Sequence, residues 1–501
     1  MKRLILFFLS ITILSKLVVL NSGCANIIPP EGGPRDSLPP VLVRSSPGDS
    51  SLNFDNNRIT LTFDEYVDAD NYLQEMIVSP VPLNMPTVTR KLNTVTVKLR
   101  DTLQRNTTYS INFGNTIKDV NEGNPMKNFT YIFSTGPYLD SMEFTGNVLL
   151  AETGVTDTTL TILLHTTNID SALIKEKPRY VTKLDGRGSF RFKNLPPDTF
   201  YVYALKDEGG SFRYMNPTQL FAFHDTAVIV SDSTRPVTLY AYAGKEPLKP
   251  APAATTTEGG NRRQTEKRLK FSTNLSGDKQ DLLEKFVFTF ETKLKTFDSS
   301  KIHFTTDTTY RSLTGHRWEM DSTRKIVSLI YPWQENTLYN LILEKDFATD
   351  TLNQQLLKAD TISFRVKEKK DYGKLVIRFR NLDLSQNPVL QFVQNNDVKK
   401  SFPLISATFS QELVVPGDYS LRLLNDRNKN GTWDPGVFFG KRQQPELVKP
   451  IQRTITIKPN WDNSFDIDIN AAPQQQQNGT QPNQNPRIPG RPNNTRPGNR
   501  F

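Results

Sequence analysis

Residues 190–207 read FRFKNLPPDTFYVYALKD, and residues 409–426 read FSQELVVPGDYSLRLLND. The two stretches align at a constant offset with no gap. Phe190 answers Phe409, Pro197 answers Pro416, Phe200 answers Tyr419 and Asp207 answers Asp426. A match of this kind inside one chain marks a structural unit used twice.

Reading outward, a second pair of stretches repeats in the same order. Asn106-Thr107-Thr108-Tyr109 recurs as Asn336-Thr337-Leu338-Tyr339, and Leu61-Thr62-Phe63 recurs as Phe288-Thr289-Phe290. Phe133 answers Phe364. The order is therefore A-B-linker-A′-B′, with A at 39–137, B at 138–245, a linker at 246–266, A′ at 267–368 and B′ at 369–470. Ile59, Leu61 and Phe63 alternate with threonines, and Val95, Val97 and Leu99 alternate with Thr96 and Lys98. Tyr109, Ile111 and Phe113 do the same. One apolar face and one wet face describe half-buried antiparallel strands. Short strands of this type, separated by turn residues, predict an all-β chain of tandem β-sandwiches.

The chain has 501 residues, 36% hydrophobic and 10% aromatic, which suits several small cores better than one large one. The formal charge is +10. Part of it sits in residues 471–501, where Arg487, Arg491, Arg496 and Arg500 lie among Gln, Asn, Pro and Gly with no acid. That tail reads as disordered and basic. With no basic helix and no basic–aromatic motif, a nucleic-acid partner is not expected.

The only cysteine is Cys24, which excludes internal disulfides. It follows a charged start (Lys2, Arg3), an apolar run to Leu20, and Asn21, Ser22 and Gly23. This is the layout of a secretory signal over residues 1–23. Small residues followed by cysteine resemble the bacterial lipobox, which implies that Cys24 is acylated and anchors the mature chain in a membrane. Asn21 stands where the lipobox carries an aliphatic residue. Residues 24–38 are rich in Pro and Gly and read as a tether.

The A unit resembles the bacterial Ig-like domains of surface-layer and envelope proteins. The residues that carry this are Pro39-Pro40-Val41-Leu42, Ile59 to Phe63 with Asp64-Glu65, Asn106 to Tyr109, and Phe133-Ser134-Thr135-Gly136. A′ is a divergent copy without the Pro-Pro opening. The B units resemble carboxypeptidase-regulatory, transthyretin-like sandwiches through Asp185-Gly186 with Phe190, Leu195-Pro196 and the strand to Asp207. The whole layout, with Gly32 to Asp36 after the cysteine, is similar to Ig-like lipoproteins of the Bacteroidetes. The resemblance implies folds and an outer-membrane location facing the periplasm, and it brings no activity with it.

No enzymatic constellation stands out. His165, His224, His303 and His316 are scattered, and neither a zinc-type His pair nor a nucleophile elbow is present. Asp64 and Glu65 are adjacent on a strand, so they point to opposite faces. The expectation is a non-catalytic protein.

Two patterns remain as candidate sites. The stretch Asp426 to Asp434 sets the oxygens of Asp426, Asn428, Asn430, Thr432 and Asp434 around Gly431, a spacing that can wrap a weakly held Ca²⁺. Val437 stands where a bidentate acid is expected, and the other reading is an Asx-rich turn bonded to its own backbone. The matching Asp207 stretch reads as a turn alone. The second pattern is Asp-Ser/Thr before an aliphatic residue, Met or Thr. It resembles the O-glycan acceptor motif of exported Bacteroidetes proteins. The acceptors are Ser37, Thr102, Ser141, Thr158, Ser171, Thr226, Ser233, Thr308, Ser322, Thr351 and Thr361. The same dipeptides also start turns.

The functional expectation is an envelope spacer or protein-interaction module, partnered with the membrane through lipid and with other envelope components. The alternative is a glycan-binding accessory of an uptake system. Trp433 is the first candidate for its aromatic platform, ahead of Trp318, Trp333 and Trp461, and a core role is open for it too.

Overall fold

The structure is a computed structural model that describes residues 35–244, 268–306 and 310–471. The chain is all-β. Its α-helices among the described residues are single turns, Tyr72–Glu75 and Ala172–Lys175. The chain divides into two compact units. One comprises the described residues within 1–147, 158–215 and 226–239, and the other those within 148–157, 216–225 and 240–501.

The first unit begins with a sandwich. Strands Leu42–Ser46, Arg58–Phe63, Thr94–Lys98 and Thr87–Lys91 form one antiparallel sheet in that order. Ile77–Ser79, Thr108–Asn112 and Thr130–Ser134 form the other. The alternating residues close the core as the pattern dictates, with Ile59, Leu61, Val95, Val97, Ile111 and Phe133 fully buried. Strands Tyr180–Lys183, Thr161–His165 and Thr199–Leu205 pair next to one another, and Ser189–Leu195 pairs with strand Met142–Leu150.

The join between these parts is bonded, not bare linker. The Val81 amide donates to the Arg179 carbonyl at 2.9 Å, and Lys177 Nζ donates to the Pro82 and Leu83 carbonyls at 3.1 and 2.9 Å. The Asp140 amide donates to Thr108 Oγ1 at 2.8 Å.

The second unit repeats the scheme. Strands Phe271–Thr273, Phe286–Phe290, Ile326–Ile330 and Arg317–Met320 make one sheet. Lys279–Gln280, Asp360–Val366, Leu338–Leu343, Ile302–Thr306 and Arg311–Ser312 make its partner. The last sandwich sets Thr408–Val414, Gly373–Arg380 and Asp462–Asp468 against Asp397–Pro403, Pro388–Gln394, Gly417–Asn425 and Leu447–Ile457.

The repeats read from sequence recur in backbone detail. Asn106 and Asn336 both hold positive φ, 52° and 56°. The hydroxyls of Thr107 and Thr337 donate to the carbonyls of Arg105 and Glu335. The hydroxyls of Tyr109 and Tyr339 accept from the amides of Gln104 and Gln334, at 2.8 and 3.3 Å. In the other repeat, Asn194 and Leu413 take φ of 56° and 54° at matching places. Each lies next to a bulge, between Met142 and Phe144 in one case and between Gly373 and Leu375 in the other.

Candidate functional site

The Asp426 stretch leaves strand Gly417–Asn425 and returns at strand Leu447–Ile457. Asp426 is buried, and its carboxylate accepts from the amides of Asn430 at 3.2 Å and Gly431 at 2.6 Å. Asn428 Oδ1 accepts from the Asn430 amide at 3.1 Å. Asn430 Oδ1 accepts from the amide and hydroxyl of Thr432, at 2.7 and 2.9 Å. The Nδ2 groups of Asn428 and Asn430 both donate to Asp434 Oδ2, at 2.6 and 2.7 Å. Positive φ at Lys429 (60°) and Gly431 (76°) bends the chain so that this ring closes.

The spacing thus brings together the side chains expected from sequence, and their oxygens bind the loop's own N–H groups. Among the described residues, no group of three or more His, Cys, Asp or Glu is placed to hold a metal ion.

Sequence reasoning missed Glu446. This buried carboxylate accepts from the Arg427 amide through Oε1 at 2.8 Å and from the Asp434 amide through Oε2 at 3.1 Å. It ties both ends of the turn to the base of strand Leu447–Ile457. No local pattern points to it, because it lies far along the chain from the turn it closes.

The matching loop uses its first aspartate in the same way. Asp207 accepts from the amides of Ser211 at 3.2 Å and Phe212 at 3.0 Å, the fourth and fifth residues onward, as Asp426 does. Four asparagine, threonine and aspartate side chains differ between the loops, yet the clamp is the same.

Trp433 is half-buried. Its Nε1–H donates to the Glu446 carbonyl at 2.7 Å, and its ring packs on Val389, Leu424 and Val448. It anchors the loop to this small apolar cluster. Beyond it the excursion docks on residues of its own unit. Phe438 is buried between Phe221 and Phe223, each ring centroid 5.2 Å away. Gln444 Nε2 donates to the Phe223 carbonyl at 2.9 Å and to Asp225 at 2.8 Å. The Val448 amide donates to the Ala151 carbonyl at 2.9 Å. Gly154, at φ +67°, lies so close that a Cβ would meet the Val448 carbonyl at 2.4 Å.

The histidines occupy unlike places. His165 is buried beside Tyr203 with Nε2 unpartnered, and burial, which disfavours the imidazolium, lowers its pKa to about 4. His303 is exposed and meets Glu344 at 2.9 Å. His316 stands against Phe304 and Trp318.

Cys24 and Thr308 lie outside the described residues. Every other glycan-acceptor candidate, Ser37, Thr102, Ser141, Thr158, Ser171, Thr226, Ser233, Ser322, Thr351 and Thr361, is exposed. Several of the preceding aspartates cap turns. Asp321 accepts from the amides of Lys325 and Ile326, and Asp350 from those of Leu352 and Gln354.

Comparison with curated proteins finds no match. Among solved structures, the chain is similar to the major pilin subunit BcpA of Bacillus cereus, at 9% identity over 66% of this chain and 99% of that one, with a TM-score of 0.16. It is also similar to native alpha-2-macroglobulin from Escherichia coli, at 14% identity over 36% of this chain and 71% of that one, with a TM-score of 0.18. A third similarity is to the S-layer protein rSbsC, at 12% identity over 85% of this chain and 54% of that one, with a TM-score of 0.16. In sequence, residues 36–135 match the family of bacterial Ig-like domains.

Proposed function

We propose that this chain is a non-catalytic cell-envelope lipoprotein. Acyl chains on Cys24 hold it in the outer membrane facing the periplasm, and its β-modules serve as a firm spacer or protein-interaction element. The observation that carries this reading is the way modules are joined. Backbone and lysine hydrogen bonds tie residues 81–83 to Lys177 and Arg179 in one unit, and the packing of Phe438 on Phe221 and Phe223 does the same in the other. A chain built to hold distance benefits from joints that resist bending, since short loops alone leave modules free to reorient. No helix among the described residues is long and apolar enough to cross a membrane.

The test is fractionation of cells making the chain and Cys24→Ala. The lipoprotein should partition with outer membranes and Cys24→Ala should not. Equal membrane partition and equal processing of the two would overturn the reading, and digestion by protease added to intact cells would overturn the periplasmic face.

O-glycans on the Asp-Ser/Thr sites are part of the proposal. What supports them is that each described acceptor is exposed, including those beside turn-capping aspartates such as Asp321 and Asp350.

A further inference from the structure

We infer that the cleft beside Trp333 binds a neutral oligosaccharide. Residues 331–335, Tyr-Pro-Trp-Gln-Glu, link strands Ile326–Ile330 and Leu338–Leu343 at one end of a sandwich. Phe304, Tyr339 and Phe364 lie on adjacent strands and stack on one another, with centroids 5.5 and 6.0 Å apart. Trp333 stands across this stack, at 87°, 74° and 79° to the three rings. Its Nε1–H is fixed on the Glu284 carbonyl at 2.9 Å. Tyr331 packs against it at 5.6 Å. Both rings are thereby held in place at the rim of the core, half-buried.

They line an open cleft of about 620 Å³ together with Glu284, Gln334, Glu335 and Lys369. That volume lies in the range of small-ligand sites, and an aromatic wall with a few convergent polar groups is their usual make-up. The polar groups are also positioned. Glu335 Oε2 accepts from the Lys369 amide at 3.0 Å, and Glu284 Oε1 meets Lys400 Nζ at 3.1 Å. Each carboxylate oxygen keeps a lone pair to accept from a ligand.

Charge and shape select the class of ligand. Each lining carboxylate has its own cation, Glu284 with Lys400 at 3.1 Å and Glu335 with Lys369 at 3.7 Å, and Lys285 is held by Glu319 at 3.3 Å, so formal charge at the cleft is balanced pair by pair. A sugar ring offers an apolar C–H face to an indole or phenol, and its hydroxyls both donate to carboxylates and accept from ammonium and amide groups. Trp433 is placed differently: its ring packs on Val389, Leu424 and Val448, and its Nε1–H is held by the Glu446 carbonyl.

The test is saturation-transfer NMR and titration of the purified full chain with chitohexaose, cellohexaose and maltohexaose. At least one should bind, with Kd on the order of 10⁻⁴ to 10⁻³ M. Glu335→Ala and Gln334→Ala alter exposed side chains and should weaken binding about tenfold with melting temperatures held within about 2 °C. Trp333→Ala should abolish binding, and Trp433→Phe should leave it unchanged. Absence of binding by all three sugars at about 10 mM overturns the inference. So does binding that survives both Glu335→Ala and Gln334→Ala, or that is lost in a folded Trp433→Phe. The spacer reading is judged separately, by the partition of Cys24→Ala.

Discussion

Phe438 meets Phe221 edge to face, with ring centroids 5.2 Å apart at 68°. The two residues are over two hundred positions apart in sequence, and the contact turns the Asp426–Glu446 excursion from a surface loop into a clasp. Phe438 fills a pocket shared with Phe223 and Tyr242. Phe438→Ala should therefore cost about 3–5 kcal/mol by denaturant unfolding, through lost burial and the cavity left behind. It should also expose residues 426–446 to protease. A loss under 1 kcal/mol would mean that the clasp contributes little.

Leu413 sits at φ 54°, a left-handed backbone that branched side chains adopt at a cost. The matching position holds Asn194, whose Nδ2 donates to the Asp140 carbonyl at 3.1 Å. Leu413→Asn should relieve the strain and raise stability by about 0.5–1 kcal/mol. Thermal melts of the two chains decide it, and a destabilised variant would show that the packing of Leu413 outweighs its backbone strain.

Asp426 and Asp207 perform the same task, so Asp426→Ala and Asp207→Ala should each lose about 1–2 kcal/mol by leaving two loop amides without their acceptor. Because the Asp426 loop bonds to itself, calorimetric melts in millimolar calcium and in chelator should coincide. A calcium-dependent rise in melting temperature that vanishes in Asp426→Ala would establish a metal site instead.

His165 gives the fold a pH dependence of known sign. Its pKa is about 4 in the folded protein and about 6.5 when unfolded, so the unfolded chain takes up the proton first. The stability that comes from keeping it neutral is fully present above pH 6.5. It is lost as pH falls from there to about 4, an effect of about 3 kcal/mol. Urea melts between pH 7 and pH 4 should show the decline, and His165→Phe, which fills the same space beside Tyr203, should flatten that part of it. An unchanged slope in His165→Phe would assign the acid sensitivity to carboxylates.

Glycan attachment is read from mass. The chain purified from its own envelope should exceed the mass of the lipidated polypeptide by whole glycan increments, and Thr351→Ala or Ser322→Ala should remove one increment each. A mass equal to the lipidated polypeptide would show that these aspartates serve only their turns.

The sequence alone determined the elements and their repetition. Alternation at Ile59, Leu61 and Phe63, and the shared order around Tyr109 and Tyr339, are local. Period-two burial and a turn's need for Asn at positive φ are written into neighbouring residues. That Asp426 opens a turn was readable for the same reason, while the choice between a bound cation and the loop's own amides as partners of its carboxylate was not. What the tertiary structure decided was everything that depends on partners remote in the chain. Glu446 closing the turn, Phe438 between Phe221 and Phe223, Trp433 packed on Val389, Leu424 and Val448, and Trp333 standing at a cleft all follow from which surfaces meet. A tryptophan's spacing does not reveal whether its ring is covered, because packing between distant segments is fixed by shape and volume, and one-dimensional period does not encode either.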